Sequence, residues 1–201
     1  MVDKYLRSPK EHCLAWLARR LEHILPLHIT LTAFAVGLLA VWFTALGHYG
    51  EALALWLVNR MLDGLDGDVA RYWKKQSDLG GYLDIICDFI IYALLPLAMA
   101  LSRGSSLDYL SVGLLLGTFY LNSASWMYLA AVLEKRGRGA HYNAETTSVT
   151  MPAGLIEGAE TILFYCAFLV FPAAFAWLCL AMAGLVIITI AQRVHWAARH
   201  L

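Results

Sequence analysis

Six stretches of this chain are about twenty residues long and mostly apolar, at roughly 29–47, 51–72, 82–102, 108–133, 150–171 and 173–193. No other feature narrows the fold as much. A bilayer core of ~30 Å is crossed by about 20 apolar residues in an α-helix. With 60% hydrophobic and only 15% charged residues, too little polar surface remains to cover a soluble globule. The expected fold is therefore an all-α integral membrane protein with six transmembrane helices. Short polar or Gly/Pro-containing segments separate the spans: GHYG, KKQSDLGG, SRGSSLD, EKRGRGAHYNAETTS and FPAA. Residues 1–201 read as a single domain without internal repeats.

Residues 3–25 follow a different pattern. Leu6, Cys13, Leu14, Leu17, Leu21 and Leu25 recur at helical spacing, with basic residues among them. This pattern predicts an amphipathic helix lying in the membrane interface. The other basic residues set the orientation. Of the fifteen Lys and Arg, Arg103 alone falls beyond the far ends of the spans, and Arg60 lies inside one. All the others share one side, which predicts N-in, C-in topology with that side cytoplasmic. The first residues are polar and carry no apolar core of the kind a signal peptide needs, so none is expected here. A net charge of zero gives no sign of a nucleic-acid partner. The four cysteines form no CxxC pair and read as small hydrophobes.

Against this apolar background, residues 63–88 hold six of the chain's fifteen acids. One Asp near a helix centre costs roughly 2.5–3.5 kcal/mol, so four cost on the order of 10 kcal/mol. Something cationic has to offset that. Asp63 and Asp66 are three apart on the second span, and Asp84 and Asp88 are four apart on the third. Each pair occupies one helix face, and a short connection predicts that the two helices are antiparallel neighbours. Four converging carboxylates are hard oxygen ligands suited to Mg²⁺ or Mn²⁺, usually completed by substrate phosphates. Gly67 clears the helix face one turn after Asp63, and Ala70 keeps it small. Arg71 presents a planar fork to a diphosphate. Gly80 and Gly81 allow close backbone approach, although turn geometry explains one of them equally well.

Written as a pattern, these residues read D-x2-D-G-x2-A-R-x8-G-x3-D-x3-D, from Asp63 to Asp88. The pattern resembles, at all eight defined positions, the signature of the CDP-alcohol phosphotransferases, in particular phosphatidylglycerophosphate-synthase-like bacterial inner-membrane members. The resemblance implies six membrane helices, an N-terminal interfacial helix, a homodimer and an active site facing the cytoplasm. It also implies that Asp63, Asp66 and Asp84 hold two divalent ions, with Asp88 touching a metal and serving as general base. Gly67, Ala70, Arg71, Gly80 and, more loosely, Ser77 would bind the CDP moiety. Pro26 and Thr30 resemble the start of the first span in relatives, with Leu27 where those have Asn. The implied reaction moves a phosphatidyl group from CDP-diacylglycerol to a small alcohol such as glycerol 3-phosphate, releasing CMP.

Several residues keep two readings. Lys135, Arg138 and Arg193 are placed to bind a phosphorylated acceptor, but positive-inside statistics predict the same charges. Glu157 and Glu160 either face the acceptor or pair with Arg60, which lies one turn before Asp63. Transfer of a CDP-carried head group to a lipid alcohol is an alternative activity. A prenyltransferase would fit the N-x3-D-x2-D spacing from Asn59, and a divalent-cation transporter would also use intramembrane acids.

Overall fold

The computed structural model describes residues 16–137 and 154–201. Among them every regular element is helical, and no strand occurs. The helices are α1 (Pro26–Ala45), α2 (Tyr49–Tyr72), α3 (Asp78–Arg103), α4 (Ser106–Lys135), α5 (Gly158–Val170) and α6 (Phe175–His200), the last preceded by a 3₁₀ turn at Pro172–Ala174. Three segments are long and apolar enough to cross a membrane: Pro26–Ala45, Asp78–Arg103 and Pro172–His200. Large apolar side chains such as Trp42, Leu101, Tyr120 and Trp177 point outward. In lipid this arrangement carries no hydrophobic penalty.

Local chemistry sets the helix ends. Pro26 opens α1 at a position where its missing N–H costs nothing. Ser77 caps α3 by accepting the Gly80 N–H at 3.1 Å. Gly104 closes α3 in the left-handed conformation, at φ 69°. The next helix begins two residues later, and Arg103 Nε donates to the buried Asp108 carboxylate at 2.8 Å across the turn.

Two expectations need correction here. The fifth helix does not begin near residue 150. Residues 154–157 are non-helical, and α5 starts at Gly158 behind a reciprocal capping box. Glu157 accepts the N–H of the third helical residue, and Glu160 Oε2 accepts the Glu157 N–H at 3.2 Å. Average hydropathy continues through this segment, whereas the backbone obeys Gly154, Gly158 and the two glutamates. The N-terminal helix also stops earlier than residue 25. Residues 1–15 lie outside the described part, and the helix ends at Ala18 in turns that lead to Pro26. Ala18 is buried with Ile29, Leu65 and Val69, and Leu21 packs on the same group. Trp73 Nε1 donates to the Ala18 carbonyl at 2.9 Å, and Lys75 donates to that of Glu22.

The main packings are α1 against α2, α1 against α3 and α4 against α6, with α5 resting on α2. Although adjacent in sequence, α2 and α3 do not pack closely along their backbones. Helix α1 wedges them apart, which overturns the expectation of simple antiparallel neighbours. Gly37 makes the wedge possible. A Cβ at that position would sit 2.9 Å from Ile91 Cδ1 on α3 and 3.0 Å from Asn59 Nδ2 on α2. Asn59 fixes the crossing from the other side by donating to the Ala33 carbonyl at 2.8 Å.

Candidate active site

The wedge leaves a small pocket between α1, α2 and α3. Thr30, Asn59, Asp63, Asp84, Cys87 and Asp88 line it, together with apolar residues of α1 and α3. Helical spacing sends the motif aspartates of α2 and α3 inward, as the sequence predicts. Asp66 is buried beside this pocket, and the Thr30 hydroxyl donates to its Oδ2 at 2.5 Å. Thr30 lies in the first turns of α1, so the wedge helix reaches the acidic cluster directly.

Arg60 binds the cluster together in a way the sequence does not disclose. Its Nη2 donates to Asp88 Oδ1 at 2.7 Å and its Nη1 to Asp88 Oδ2 at 3.1 Å, a two-pronged contact across the α2–α3 gap. Nη1 also donates to the Tyr92 hydroxyl at 2.9 Å and lies 3.5 Å from Asp63 Oδ2. Nε donates to Asn59 Oδ1 at 2.8 Å. The guanidinium sits 4.8 Å from the Trp56 ring centre and 5.1 Å from that of Tyr92. Trp56 stacks on Tyr165 at 5.1 Å, so aromatic rings form the floor beneath the cation. The expected pairing of Arg60 with Glu157 or Glu160 is therefore replaced by pairing with Asp88 and Asp63. Those glutamates are occupied by the capping box at the start of α5.

The donor set suits a hard cation. Oδ1 of Asp84 is buried and has no hydrogen-bond partner, which costs about 1–3 kcal/mol unless a ligand satisfies it. Among the described residues, no three acid, His or Cys side chains stand close enough to enclose an ion as they lie. Arg60 holds both oxygens of Asp88, and Thr30 holds one of Asp66. The carboxylate oxygens of Asp63 and Asp84 are hard donors of the kind that Mg²⁺ or Mn²⁺ takes.

The remaining predicted positions flank the cluster. The Arg71 guanidinium lies over Gly67, where an added Cβ would meet Nη1 at 3.0 Å, and it pairs with Asp68 at 2.6 Å. Ala70 follows on the same helix. A Cβ at Gly80 would come within 3.0 Å of Ser77 Oγ, so this glycine accommodates the helix cap. Ser77 spends an oxygen lone pair on that cap and keeps its hydroxyl hydrogen to donate. Arg193 is buried on α6 and donates to Asn122 Oδ1 of α4 at 2.5 Å, with the Glu157 charge nearby. Lys135 lines a separate surface pocket with Tyr128 and Arg136 at the end of α4. Arg138 lies outside the described residues. Cys87, Cys166 and Cys179 are free thiols.

The chain is similar to known proteins in sequence and in fold. The family model for CDP-alcohol phosphatidyltransferase covers residues 23–196. Inner membrane protein YnjF of Escherichia coli (strain K12) is 39% identical over 178 residues, spanning 88% of this chain and 85% of its own. The CDP-diacylglycerol–serine O-phosphatidyltransferase of Mycobacterium tuberculosis (strain ATCC 25618 / H37Rv) is 39% identical over 74 residues, 36% of this chain and 26% of its own. In fold, the chain is similar to the phosphatidylinositol phosphate synthase of Mycobacterium tuberculosis solved with CDP-DAG bound. The TM-score is 0.69 at 20% identity, covering 90% of this chain and 92% of that one. The same synthase has been solved in complex with manganese and citrate, at the same TM-score and identity.

Proposed function

Because the chain belongs to the CDP-alcohol phosphatidyltransferase family, we propose that it transfers the phosphatidyl group of CDP-diacylglycerol to the hydroxyl of a small polar alcohol, releasing CMP. One observation carries this reading: Asp63, Asp84 and Asp88 of the eight-position signature line a single pocket, with Asp66 buried beside it. The serine phosphatidyltransferase relative, named for CDP-diacylglycerol, supports that donor.

In this mechanism Gly67, Ala70 and Gly80 leave room for the CDP moiety, and Arg71 turns its fork from Asp68 to the diphosphate. Ser77 donates its hydroxyl hydrogen to the nucleotide. Asp63, Asp66, Asp84 and Asp88 would hold Mg²⁺ or Mn²⁺, two ions in all, whose charge offsets that of the diphosphate and of departing CMP. Asp88 accepts the proton of the acceptor hydroxyl. The freed oxygen forms a bond to the phosphorus distal to cytidine, and the bond from that phosphorus to CMP breaks with its electron pair on CMP.

The same proposal places six helices in a bacterial inner membrane, N-in and C-in, as one catalytic domain that works as a homodimer with its site open to the cytoplasm. The acceptor is a phosphorylated alcohol such as glycerol 3-phosphate, drawn in by Lys135, Arg138 and Arg193. Glu157 and Glu160 shape the start of α5 beside Arg193 and contribute no direct acceptor contact. The test is release of CMP from labelled CDP-diacylglycerol by purified protein with Mg²⁺. The acceptor panel is glycerol 3-phosphate, serine, inositol, inositol phosphate and choline. Turnover with the phosphorylated acceptors is expected, and a preference for choline or serine would overturn the acceptor assignment. No CMP with any acceptor would sink the reaction.

A further inference from the structure

The guanidinium of Arg60 offsets part of the charge of Asp63 and Asp88, but charge balance alone does not call for a fork held on every side. Its side chain is only 7% exposed, and burying an ion pair costs several kcal/mol per ion, so apolar residues of similar volume often stabilise a core as well or better. A fixed positive charge beside Asp63 and Asp88 also opposes cation binding. What Arg60 does supply is geometry. Every group around it restricts its rotation: Asn59 holds Nε, Tyr92 holds Nη1, and Trp56 and Tyr92 flank the plane. The fork then grips both oxygens of Asp88. A carboxylate offers about four lone-pair sites. With one on each oxygen taken, the others point in fixed directions.

We propose that Arg60 is a positioning residue: clamped by Asn59, Trp56 and Tyr92, its fork fixes the carboxylate plane of Asp88 in the orientation that takes the acceptor's proton. This rests on Asp88 being the proton acceptor, so the test begins with Asp88→Asn. Lysine at position 60 would keep the charge but replace the fork with a rotatable point donor.

The experiment uses the full-length protein in lipid nanodiscs. It measures kcat and the KM for CDP-diacylglycerol, and separately Mn²⁺ binding by titration calorimetry without donor. Misplacing a reacting group by about 1 Å can cost 10²-fold. Arg60→Lys and Arg60→Gln are therefore each expected to lower kcat by about 10- to 100-fold, with donor KM nearly unchanged. Mn²⁺ should bind Arg60→Gln at least as tightly as wild type, because a repelling charge has gone. In an Asp88→Asn background, Arg60→Gln should lower kcat no further. Wild-type kcat in Arg60→Lys would overturn the proposal by showing that charge suffices. Weaker Mn²⁺ binding in Arg60→Gln would overturn it in favour of a purely structural role. Equal losses from Arg60→Gln with and without Asp88 would overturn it by showing action elsewhere. Near-normal turnover of Asp88→Asn alone would instead refute the proton-acceptor assignment, and the positioning role with it.

Discussion

Gly37 is where the architecture is most exposed to a single methyl group. Replacing it with alanine places a Cβ 2.9 Å from two atoms of Ile91 and 3.0 Å from Asn59 Nδ2. Carbon pairs are comfortable at about 3.5–4.0 Å, so α1 has to retreat from both neighbours by roughly half an ångström or more, or Ile91 has to leave its rotamer. Overpacking of this kind costs about 1–3 kcal/mol. For a protein of this length, each kcal/mol moves the melting temperature by about 2–4 °C, so the expected loss is roughly 2–12 °C. Thermal unfolding in detergent, followed by size-exclusion chromatography after heating, reads the shift directly. Gly37→Val should be worse than Gly37→Ala. Activity should fall too, because Asn59 connects the helix crossing to Arg60 and through it to Asp88. An alanine variant with wild-type melting and turnover would refute the idea that close approach of α1 builds the site.

Asp84→Asn should abolish CMP release in Mg²⁺ or Mn²⁺, since it removes charge from a carboxylate whose Oδ1 has no protein partner; wild-type activity that survives excess chelator would refute metal dependence altogether. Thr30→Val removes the hydrogen bond to buried Asp66, which should cost about 1.5–3 kcal/mol in detergent unfolding and weaken Mn²⁺ binding; an unchanged melt would deny the contact its place in the site. Lys135→Ala should raise the KM for glycerol 3-phosphate several-fold while leaving donor KM nearly constant, and the opposite pattern would move Lys135 away from the acceptor.

How legible these features were in the sequence depended on how far each interaction reaches along the chain. The apolar stretches read from hydropathy coincide with α1 to α4 to within about four residues, whereas α6 runs on to His200, because apolar content marks a helix but does not end it. The inward faces of Asp63, Asp66, Asp84 and Asp88 followed from helical spacing alone. Helix α5 was misplaced because a capping box is two glutamates that a hydropathy average merely tolerates. The contact of Arg60 with Asp88 was absent from both readings of Arg60 for a different reason. Counting residues gives depth along one helix but says nothing about which helix faces it, and Asp88 is reached only across the gap that α1 opens. Asn59 likewise looked like part of an Asp-rich pattern, yet its side chain donates to the α1 backbone and accepts from Arg60. The wedge itself was invisible, since nothing local marks Gly37 as the point where three helices meet.

Helix α5 has thirteen residues and so rises only about 20 Å, against a hydrocarbon thickness of ~30 Å. On the proposed six-span topology, α5 is therefore about 10 Å short of the hydrocarbon thickness. The chain there meets its own hydrogen-bonding needs: the Ile156 N–H goes to Thr189, that of Gly154 to Glu157, and that of Glu157 to Glu160. Non-helical backbone at such depth is tolerated where protein buries it or water reaches it. On the proposed topology the start of α5 would then lie below the membrane surface, at a depth that a water-soluble acceptor could reach from solvent and a lipid donor could reach from within the bilayer.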